Sequence, residues 1–307
     1  MKLIFMGTPD FAVKSLEKLV NSSHEVLAVV TQPDRMRDKC KVSFSPVKEF
    51  ALKHGIKVLQ YEKVSKEGIE DIVALSPDCI ITVAFGQMLS KEFLAIAPFG
   101  VVNVHASLLP KYRGSSPIQW AVINGEKETG ITIMKTAYEM DSGDIIVQKK
   151  VKILPSETSG ELFDRLSVLG GETLMLALSQ IEQGIAVYTK QNHSEMTYFP
   201  MLKKESGIID FSKSSQSIQC FILGMTPWPT AYTYLNKKII KVFKASKADG
   251  IGLAGEVLKA DSKNGLVVAT GDGALLLEVI QPENGKKMNS KDYLLGHKIS
   301  LGEILGG

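Results

Sequence analysis

Short apolar runs separated by helix-like segments dominate the first half of the chain, and this pattern most constrains the fold. Residues 26–31, 79–84 and 101–104 are rich in Val and Ile and contain no charged side chain. Strands that are solvated on one face alternate apolar and polar residues, whereas strands covered on both faces consist of continuous apolar runs. The pattern therefore predicts an α/β fold with a Rossmann-like open, mostly parallel sheet. Ligands of such sheets bind beyond the carboxyl ends of the strands.

The segments between these runs carry the boundary signals of helices. Pro9 lies just after the first apolar run, and Pro is favoured in the first turn of a helix. Ser45 stands directly before another Pro and predicts a second helix start. A longer apolar stripe predicts a helix over residues 159–183, which the Gly170-Gly171 pair is expected to bend or interrupt.

The chain changes character after this long helix. Residues 187–206 have no sustained period and are predicted to form a linker. Beyond them, one helix is followed by five short strands with turn residues between them, which is typical of a small β-barrel of the oligonucleotide-binding (OB) type. We therefore predict an α/β domain at residues 1–186, the linker at 187–206, and an OB-like C-terminal domain at 207–307.

Composition excludes several classes of protein. Apolar residues make up 44% of the chain and charged residues 22%, which are ordinary values for a globular protein. The apolar runs fall short of the about 18 residues that a membrane span needs, and the N-terminal run is too short for a secretory signal peptide. The three cysteines are widely spaced and form no zinc pattern. We therefore expect a soluble, cytoplasmic protein with no membrane partner.

Positive charge is concentrated in the last third of the chain. The whole chain has a net charge of +3, and residues 207–307 alone contain twelve Lys and nine acidic residues, again a net +3 (12 − 9). Such an excess is compatible with a polyanionic partner, but lysines also protect edge strands from pairing. Five of these lysines surround one predicted hairpin: Lys237, Lys238, Lys241, Lys244 and Lys247.

Two polar residues stand out in the apolar run that begins at residue 101. Asn103 and His105 lie two apart, so in a strand both side chains point to the same face. At the carboxyl end of a buried strand they supply an amide donor and a group that titrates near neutrality. The common alternative is a histidine that merely bonds to a main-chain carbonyl.

Other segments favour a functional site here. A long loop rich in Ser, Pro and Gly follows the strand, and long loops after buried strands are often functional. Asp141 and Asp144 then lie in one tight connection, and a carboxylate that reaches the His105 ring would orient it and stabilise its protonated form. By contrast, the turn after the first strand lacks the second glycine of the dinucleotide-binding fingerprint, which argues against a nicotinamide cofactor.

Several motifs occur together and carry a resemblance to a known family. One set comprises Asn103-Val104-His105, Ser107-Leu108-Leu109-Pro110 and Asp141-Ser142-Gly143. A second set comprises GTPDF at residues 7–11, TQPDR at 31–35, RGSSPIQ at 113–119 and PWP at 227–229. The first set resembles the signature of enzymes that use 10-formyltetrahydrofolate. Both sets together resemble the methionyl-tRNA formyltransferase family over nearly the whole chain.

The resemblance implies a catalytic trio and a folate site. Asn103, His105 and Asp141 are the implied catalytic residues, whereas Asp144 is expected to be structural. The implied formyl donor is 10-formyltetrahydrofolate, held largely by main-chain groups, and no metal is implied. The implied folate-contacting residues are Phe85, Gly86, Gln87, Met88, Ser107, Leu108, Leu109 and Pro110.

The resemblance also implies initiator Met-tRNA as the acceptor, with the formyl group moving to the α-amino group of Met. The basic loop at residues 34–44 is expected to enter the acceptor end of the tRNA, although it has no Gly and carries Cys40 between two lysines. The C-terminal domain is expected to bind tRNA phosphates, and the enzyme is expected to be a monomer. The implied tRNA-binding residues are Arg35, Arg37, Lys39, Lys41, Lys237, Lys238, Lys241 and Lys244.

Two alternatives stay open from the sequence. The same chemistry could act on a small amine, such as a nucleotide or an amino sugar, but the basic loop and the extra C-terminal domain argue against it. The chain could instead be an RNA-binding relative whose α/β half has lost its activity. The complete set of Asn103, His105 and Asp141 argues against that second alternative.

Overall fold

The computed structural model describes residues 1–37 and 41–306, which form two compact units. The first comprises residues 1–117, 128–152 and 163–199, and the second comprises residues 118–127, 153–162 and those from 200 onward. Up to residue 114 the elements are β1 (Lys2–Gly7), α1 (Asp10–Val20), β2 (Glu25–Thr31), β3 (Met36–Arg37), β4 (Lys41–Val42), α2 (Pro46–Lys53), β5 (Val58–Gln60), α3 (Val64–Glu67), α4 (Ile69–Ala74), β6 (Cys79–Val83), α5 (Lys91–Leu94), β7 (Val101–His105) and β8 (Arg113–Gly114). The chain continues with α6 (Pro117–Ile123), β9 (Glu128–Lys135), β10 (Ile145–Lys152), α7 (Ser159–Glu182), a 3₁₀ helix (His193–Glu195) and β11 (Tyr198–Phe199).

Within the described residues, seven strands form the sheet of the first unit, in the order β10-β9-β7-β6-β1-β2-β5. The five strands from β7 to β5 pair in parallel, whereas β9 and β10 run antiparallel at one edge. The strand order reverses direction between β1 and β6, and open α/β sheets bind ligands at such a switch point. The α/β class with a Rossmann-like, mostly parallel sheet is therefore confirmed.

The local sequence explains these elements. Every position of β6 is buried, and β1 is buried after Lys2, as continuous apolar runs require of central strands. Helix α1 follows Pro9 directly. Helix α2 is capped by Ser45, whose hydroxyl accepts from the Lys48 amide at 3.3 Å.

Helix α7 runs unbroken for 24 residues, so the predicted interruption at the Gly170-Gly171 pair does not occur. The two glycines instead permit close packing. A Cβ at Gly170 would lie 3.3 Å from Val104 Cγ1, and one at Gly171 would lie 3.0 Å from the Lys14 carbonyl oxygen. The pair thus brings α7 close to both β7 and α1.

Residues 189–199 belong to the segment predicted as a linker, and they pair with elements of the first unit. Thr189 forms a bridge with Ile145, and β11 pairs in parallel with β8. The Phe199 ring also stacks on the Tyr112 ring with 4.9 Å between centroids. This stretch therefore packs along the loop that follows β7.

The second unit contains an antiparallel sheet. Its elements after the 3₁₀ helix Lys204–Gly207 are α8 (Ser215–Met225), β12 (Ala231–Leu235), β13 (Lys238–Ala248), β14 (Val257–Asp261), β15 (Gly265–Thr270), β16 (Gly273–Pro282), β17 (Met288–Asn289) and α9 (Ser290–Gly296). The strand order is β12-β13-β16-β15-β14, with β17 beside β16. Asn236 and Lys237 join β12 to β13 with positive φ angles of 50° and 63°, as a type I′ hairpin turn requires. The antiparallel C-terminal sheet is confirmed, and its OB-like label stays a prediction.

None of the helices in the described part of the chain combines the length and hydropathy of a membrane span.

Candidate active site

The strand that carries Asn103 and His105 lies near the switch point of the sheet. β7 pairs in parallel with β6, and Asn103 lies opposite Thr82. On its other side β7 pairs with β9. The loops that follow β6 and β7 therefore leave the same edge of the sheet, where open α/β folds bind their ligands.

Asn103 is half-buried, and its amide has a defined orientation. The hydroxyl of Thr82 donates a hydrogen bond to Asn103 Oδ1 at 2.8 Å, and Thr82 itself is buried. Because Oδ1 accepts this bond, the Nδ2 group is the opposite end of the amide and can donate to a ligand. The strand thus presents an amide donor on the same face as His105.

His105 is buried, and both of its ring nitrogens face acceptors. Nε2 lies 2.9 Å from the Tyr112 carbonyl oxygen, which is a hydrogen bond. Nδ1 lies 3.6 Å from Asp141 Oδ1, an ion-pair distance that is too long for a hydrogen bond. A carbonyl can only accept, so Nε2 carries a proton, and a second proton on Nδ1 would face the carboxylate.

Asp141 is held in an uncommon backbone conformation. Its φ of 51° lies in the left-handed region, which residues with a Cβ rarely adopt. The Gly114 amide donates to Asp141 Oδ2 at 2.8 Å, so Oδ1 is the oxygen that faces His105. Gly143 closes the turn, and a Cβ there would overlap the Lys135 carbonyl oxygen. The tight turn thus fixes the direction of one carboxylate.

The structure brings Asn103, His105 and Asp141 to one edge of the sheet, although they come from two separate segments of the chain. Asp144, the expected structural neighbour, accepts a hydrogen bond from the Lys135 amide through its carbonyl at 2.9 Å. Across the described residues, no group of three or more His, Cys, Asp or Glu could hold a metal ion. The catalytic roles of the three residues, and the expectation that no metal is used, stay predictions.

The predicted folate loop after β6 presents main chain and apolar surface. Phe85 is buried, Gly86 has a φ of 81°, and Met88 is 57% exposed. The side chain of Gln87 turns inward, where it donates to the Tyr61 carbonyl at 2.9 Å and accepts a main-chain amide at 2.8 Å. The amide of Gln87, one of the residues predicted to contact folate, therefore already forms hydrogen bonds within the protein.

Two residues that sequence reasoning missed hold the predicted folate loop after β7. The Leu109 amide donates to Thr132 Oγ1 at 3.1 Å, and Thr132 Oγ1 donates to the Ser107 carbonyl at 2.6 Å. Gln148 Nε2 donates to the Leu109 carbonyl at 2.8 Å. The other two predicted residues of this loop, at positions 108 and 110, are half-buried. The sequence alone could have indicated Thr132, because it is a polar residue within an apolar strand, whereas nothing in the sequence distinguishes Gln148.

The basic loop at residues 34–44 is described only in part. Arg35 is exposed. Arg37 and Lys41 lie in β3 and β4, which pair with each other, but their side chains lie outside the described residues, as does all of Lys39. The predicted tRNA contacts of this loop therefore stay predictions.

An ion pair holds the start of this loop. Lys48 Nζ contacts the Asp34 carboxylate and donates to Gln60 Oε1 at 2.8 Å, and Gln60 Nε2 donates to Asp34 Oδ1 at 3.1 Å. Burial acts to raise the pKa of Asp34, but the hydrogen bonds from Lys48 and Gln60 and the positive charge of Lys48 together hold that pKa below its usual value. The ionised carboxylate thus ties the end of β2 to α2 and β5.

The predicted lysines of the second unit lie at one hairpin. Lys237 is in the turn between β12 and β13, and Lys238, Lys241 and Lys244 are exposed on β13. Lys244 forms an ion pair with Glu278 at 2.9 Å. Burial acts to raise the pKa of Glu278, but hydrogen bonds from Ser246 and Lys244 and the Lys244 charge lower it on balance. The positive charge of Lys244 is therefore partly neutralised within the protein.

Two family models match the chain. Residues 1–178 match the model described as "Formyl transferase", and residues 201–298 match "Formyl transferase, C-terminal domain". Together with the open α/β sheet and the polar residues at its carboxyl edge, these matches define the class of the protein as a formyltransferase.

Curated relatives make this class more specific. The methionyl-tRNA formyltransferases of Geotalea uraniireducens and Acetivibrio thermocellus are each 45% identical to the chain; the matches cover 100% of the chain and 98% and 100% of those proteins. The chain belongs to the methionyl-tRNA formyltransferase family, as its motifs predicted.

Solved structures of lower identity share the fold. The N-formyltransferase from Helicobacter canadensis, in complex with folinic acid and dTDP-3-aminofucose, has a TM-score of 0.69 at 21% identity, over 94% of this chain and 100% of that one. HypX from Aquifex aeolicus, in complex with tetrahydrofolic acid, has a TM-score of 0.62 at 17% identity, over 98% of this chain and 50% of that one.

Proposed function

We propose that the protein acts in the cytoplasm as a monomer and transfers the formyl group of 10-formyltetrahydrofolate to the α-amino group of Met on initiator Met-tRNA. One observation carries the proposal. Asn103, His105 and Asp141 lie together at the carboxyl edge of the sheet, in a chain that matches methionyl-tRNA formyltransferases along its whole length.

An assay of acceptor choice tests this proposal. Formyl transfer from 10-formyltetrahydrofolate is measured with Met-tRNA and, separately, with free nucleotide-sugar amines. We expect rapid transfer to Met-tRNA and little to the small amines. The opposite preference would support the small-amine alternative, and tRNA binding without any transfer would support the RNA-binding alternative.

The proposed reaction passes through a tetrahedral species. The neutral α-amino group attacks the formyl carbon, a new C–N bond forms, and negative charge develops on the formyl oxygen. The bond to the folate nitrogen then breaks, and that nitrogen gains a proton while the amine loses one. Donors placed at the developing oxyanion stabilise this species, and one such donor is worth about 2.7–4 kcal/mol.

The geometry supports distinct roles for the three side chains. Asn103 Nδ2 is the oxyanion donor, because Thr82 occupies the other end of its amide. The Tyr112 carbonyl occupies Nε2 of His105, so Nδ1, which faces Asp141, is the ring atom left to take up and release the proton that moves between the two nitrogens. Asp141 lies 3.6 Å from Nδ1 and stabilises the positive charge of the protonated ring.

We assign the folate to the edge of the sheet where the loops after β6 and β7 leave it. Both loops present main-chain groups and apolar side chains, which suits a flat, polar-edged ring system. Structural neighbours are in complex with folinic acid or tetrahydrofolic acid, which supports a folate as the class of ligand. Thr132 and Gln148 would keep the second loop in shape before the folate binds.

Replacing Asp141 with Asn should lower kcat by about 10²-fold, because the amide keeps the shape of the side chain but cannot stabilise the imidazolium. The pH dependence of kcat should change as well, since the charge beside the His105 ring is lost. The measurement is formyl transfer at saturating substrate across a series of pH values. A variant with the parent's pH profile would contradict the proposed coupling between Asp141 and His105.

Replacing Lys237, Lys238 and Lys241 together with Ala should raise KM for tRNA and leave KM for folate unchanged. If each lysine contacts one phosphate, the slope of log K against log salt for tRNA binding should become shallower by about 2–3. The matched control replaces three exposed lysines of β10, Lys149, Lys150 and Lys152, which alters the net charge equally. Because β13 pairs with β12 and β16 on its two sides, an unchanged salt slope in the first variant would indicate that its lysines only form a solvated surface.

A further inference from the structure

We infer that Gln191 and Arg113 are positioning residues for Asp141: a buried Arg–Gln pair clamps the tight turn that carries the carboxylate. The inference rests on the proposed role of Asp141. It concerns a residue that the sequence pattern placed in a linker, 50 residues beyond the turn that it contacts.

The Gln191 side chain bridges two segments in the interior of the first unit. It is only 6% exposed. Its Nε2 donates to the carbonyl oxygens of Asp141 and Gly143, both at 2.8 Å. Its Oε1 accepts from the guanidinium of Arg113, at 3.1 Å from Nε and 2.6 Å from Nη2. One amide therefore joins the two ends of the Asp141-Ser142-Gly143 turn to Arg113.

The chemistry of the neighbours leaves one orientation for this amide. A guanidinium can only donate, and main-chain carbonyls can only accept. The oxygen of Gln191 must therefore face Arg113, and its nitrogen must face the turn. Among the side chains of similar size, only Gln supplies an acceptor at one end of its planar group and two donors at the other. The neighbours of residue 191 therefore favour Gln over other side chains.

Arg113 is suited to hold this amide in place. It is 4% exposed, and its main-chain amide donates to the Thr197 carbonyl at 2.9 Å, where β8 meets β11. Among the described residues, no carboxylate lies within ion-pair distance of its guanidinium, whose remaining contact is Met196 Sδ at 3.2 Å from Nη1. The guanidinium therefore serves to orient Gln191 by hydrogen bonds rather than to neutralise an acid.

Asp141 needs such support because its backbone is strained. A positive φ is conformationally costly for a residue with a Cβ, and surrounding contacts offset that cost at Asp141. Two anchors act on this residue from neighbouring positions. Gly114 donates to its carboxylate, and Gln191, oriented by Arg113, donates to its carbonyl. Together they fix both the main chain and the side chain that faces His105.

The decisive variant is Gln191→Glu. A carboxylate keeps both hydrogen bonds from Arg113, now as an ion pair, but it turns an acceptor toward the two carbonyls of the turn. We expect the protein to fold with only a small drop in its thermal midpoint, because the ion pair with Arg113 partly offsets the two lost hydrogen bonds. We expect kcat to fall by about 10-fold, with little change in KM for folate or tRNA. The matched control is Gln183→Glu, the same change at an exposed position of the same unit, which should keep parental kcat.

A double-mutant cycle separates positioning from other effects. If Gln191 acts through Asp141, then Gln191→Glu should cause no further loss of kcat in the Asp141→Asn background. A second 10-fold loss in that background would overturn the inference, and so would full activity of the single variant. A large drop in the thermal midpoint with a matching loss of active protein would also overturn it, because the role would then be merely structural. Failure of the parent protein to formylate Met-tRNA would instead contradict the proposed function.

Discussion

His105→Ala should lower kcat for formyl transfer to Met-tRNA by about 10²–10⁴-fold, the range that a positioned acid–base group contributes. The ring is buried, and the Tyr112 carbonyl holds its Nε2 in place, so a neighbouring side chain cannot take over the role of the ring. The measurement is single-turnover transfer at saturating folate and tRNA. Free imidazole, which fits the space left by the ring, should restore part of the lost rate.

A second variant distinguishes chemistry from packing at this position. In His105→Gln the new side chain can still donate to the Tyr112 carbonyl but cannot exchange a proton. This variant should therefore fold like the parent but lack activity. The matched control is His54→Ala, an exposed histidine whose ring contacts the Phe50 carbonyl and ring. If His105→Gln kept most of the parental kcat, His105 would have no part in proton transfer.

The central sheet could be predicted from the sequence because its signal is local. Continuous Val-rich and Ile-rich runs can be buried on both faces only within a covered sheet, and β6 is indeed buried at every position. The start of α2 was also predictable, since Ser45 accepts a hydrogen bond from the first turn of its own helix. Neither inference depends on knowing which distant segment lies nearby.

The Gly170-Gly171 pair shows where local reasoning fails. Glycine weakens an isolated helix, so the pair predicts a bend or a break. In the fold, the missing side chains allow α7 to approach Val104 and the Lys14 carbonyl closely. Packing against β7 and α1 therefore offsets the low helix propensity, and only the tertiary structure shows this.

The candidate site was predictable only where its residues stand in a motif. Asn103 and His105 share a strand face by their spacing alone, and the resemblance added Asp141. The residues that hold the catalytic side chains in place belong to no motif. Gln191 lies in a stretch without periodicity, and it reaches the Asp141 turn because β11 pairs with β8, about 85 residues earlier in the chain. Such contacts depend on strand pairing between distant segments, which the composition of either segment does not reveal.

Asn103→Ala should lower kcat by about 10²–10³-fold, the loss expected when one oxyanion donor of about 2.7–4 kcal/mol is removed. The loss should fall on kcat rather than on KM, because the negative charge on the formyl oxygen develops only as the reaction proceeds. Initial rates at varied folate and tRNA concentrations measure this division. An unchanged turnover would exclude Asn103 from the mechanism.

The orientation of the Asn103 amide allows a sharper test. In Asn103→Asp the carboxylate can still accept from Thr82, so the local packing is retained, but no donor faces the oxyanion. Its loss of kcat should equal or exceed that of Asn103→Ala, because it places a negative charge beside a developing negative charge. Thr82→Val should show a smaller loss, since it leaves the donor in place and removes only the bond that orients it. If Thr82→Val were as slow as Asn103→Ala, the packing around Thr82 would matter as much as the donor itself. The order of kcat among these three variants therefore decides between hydrogen-bond donation and packing.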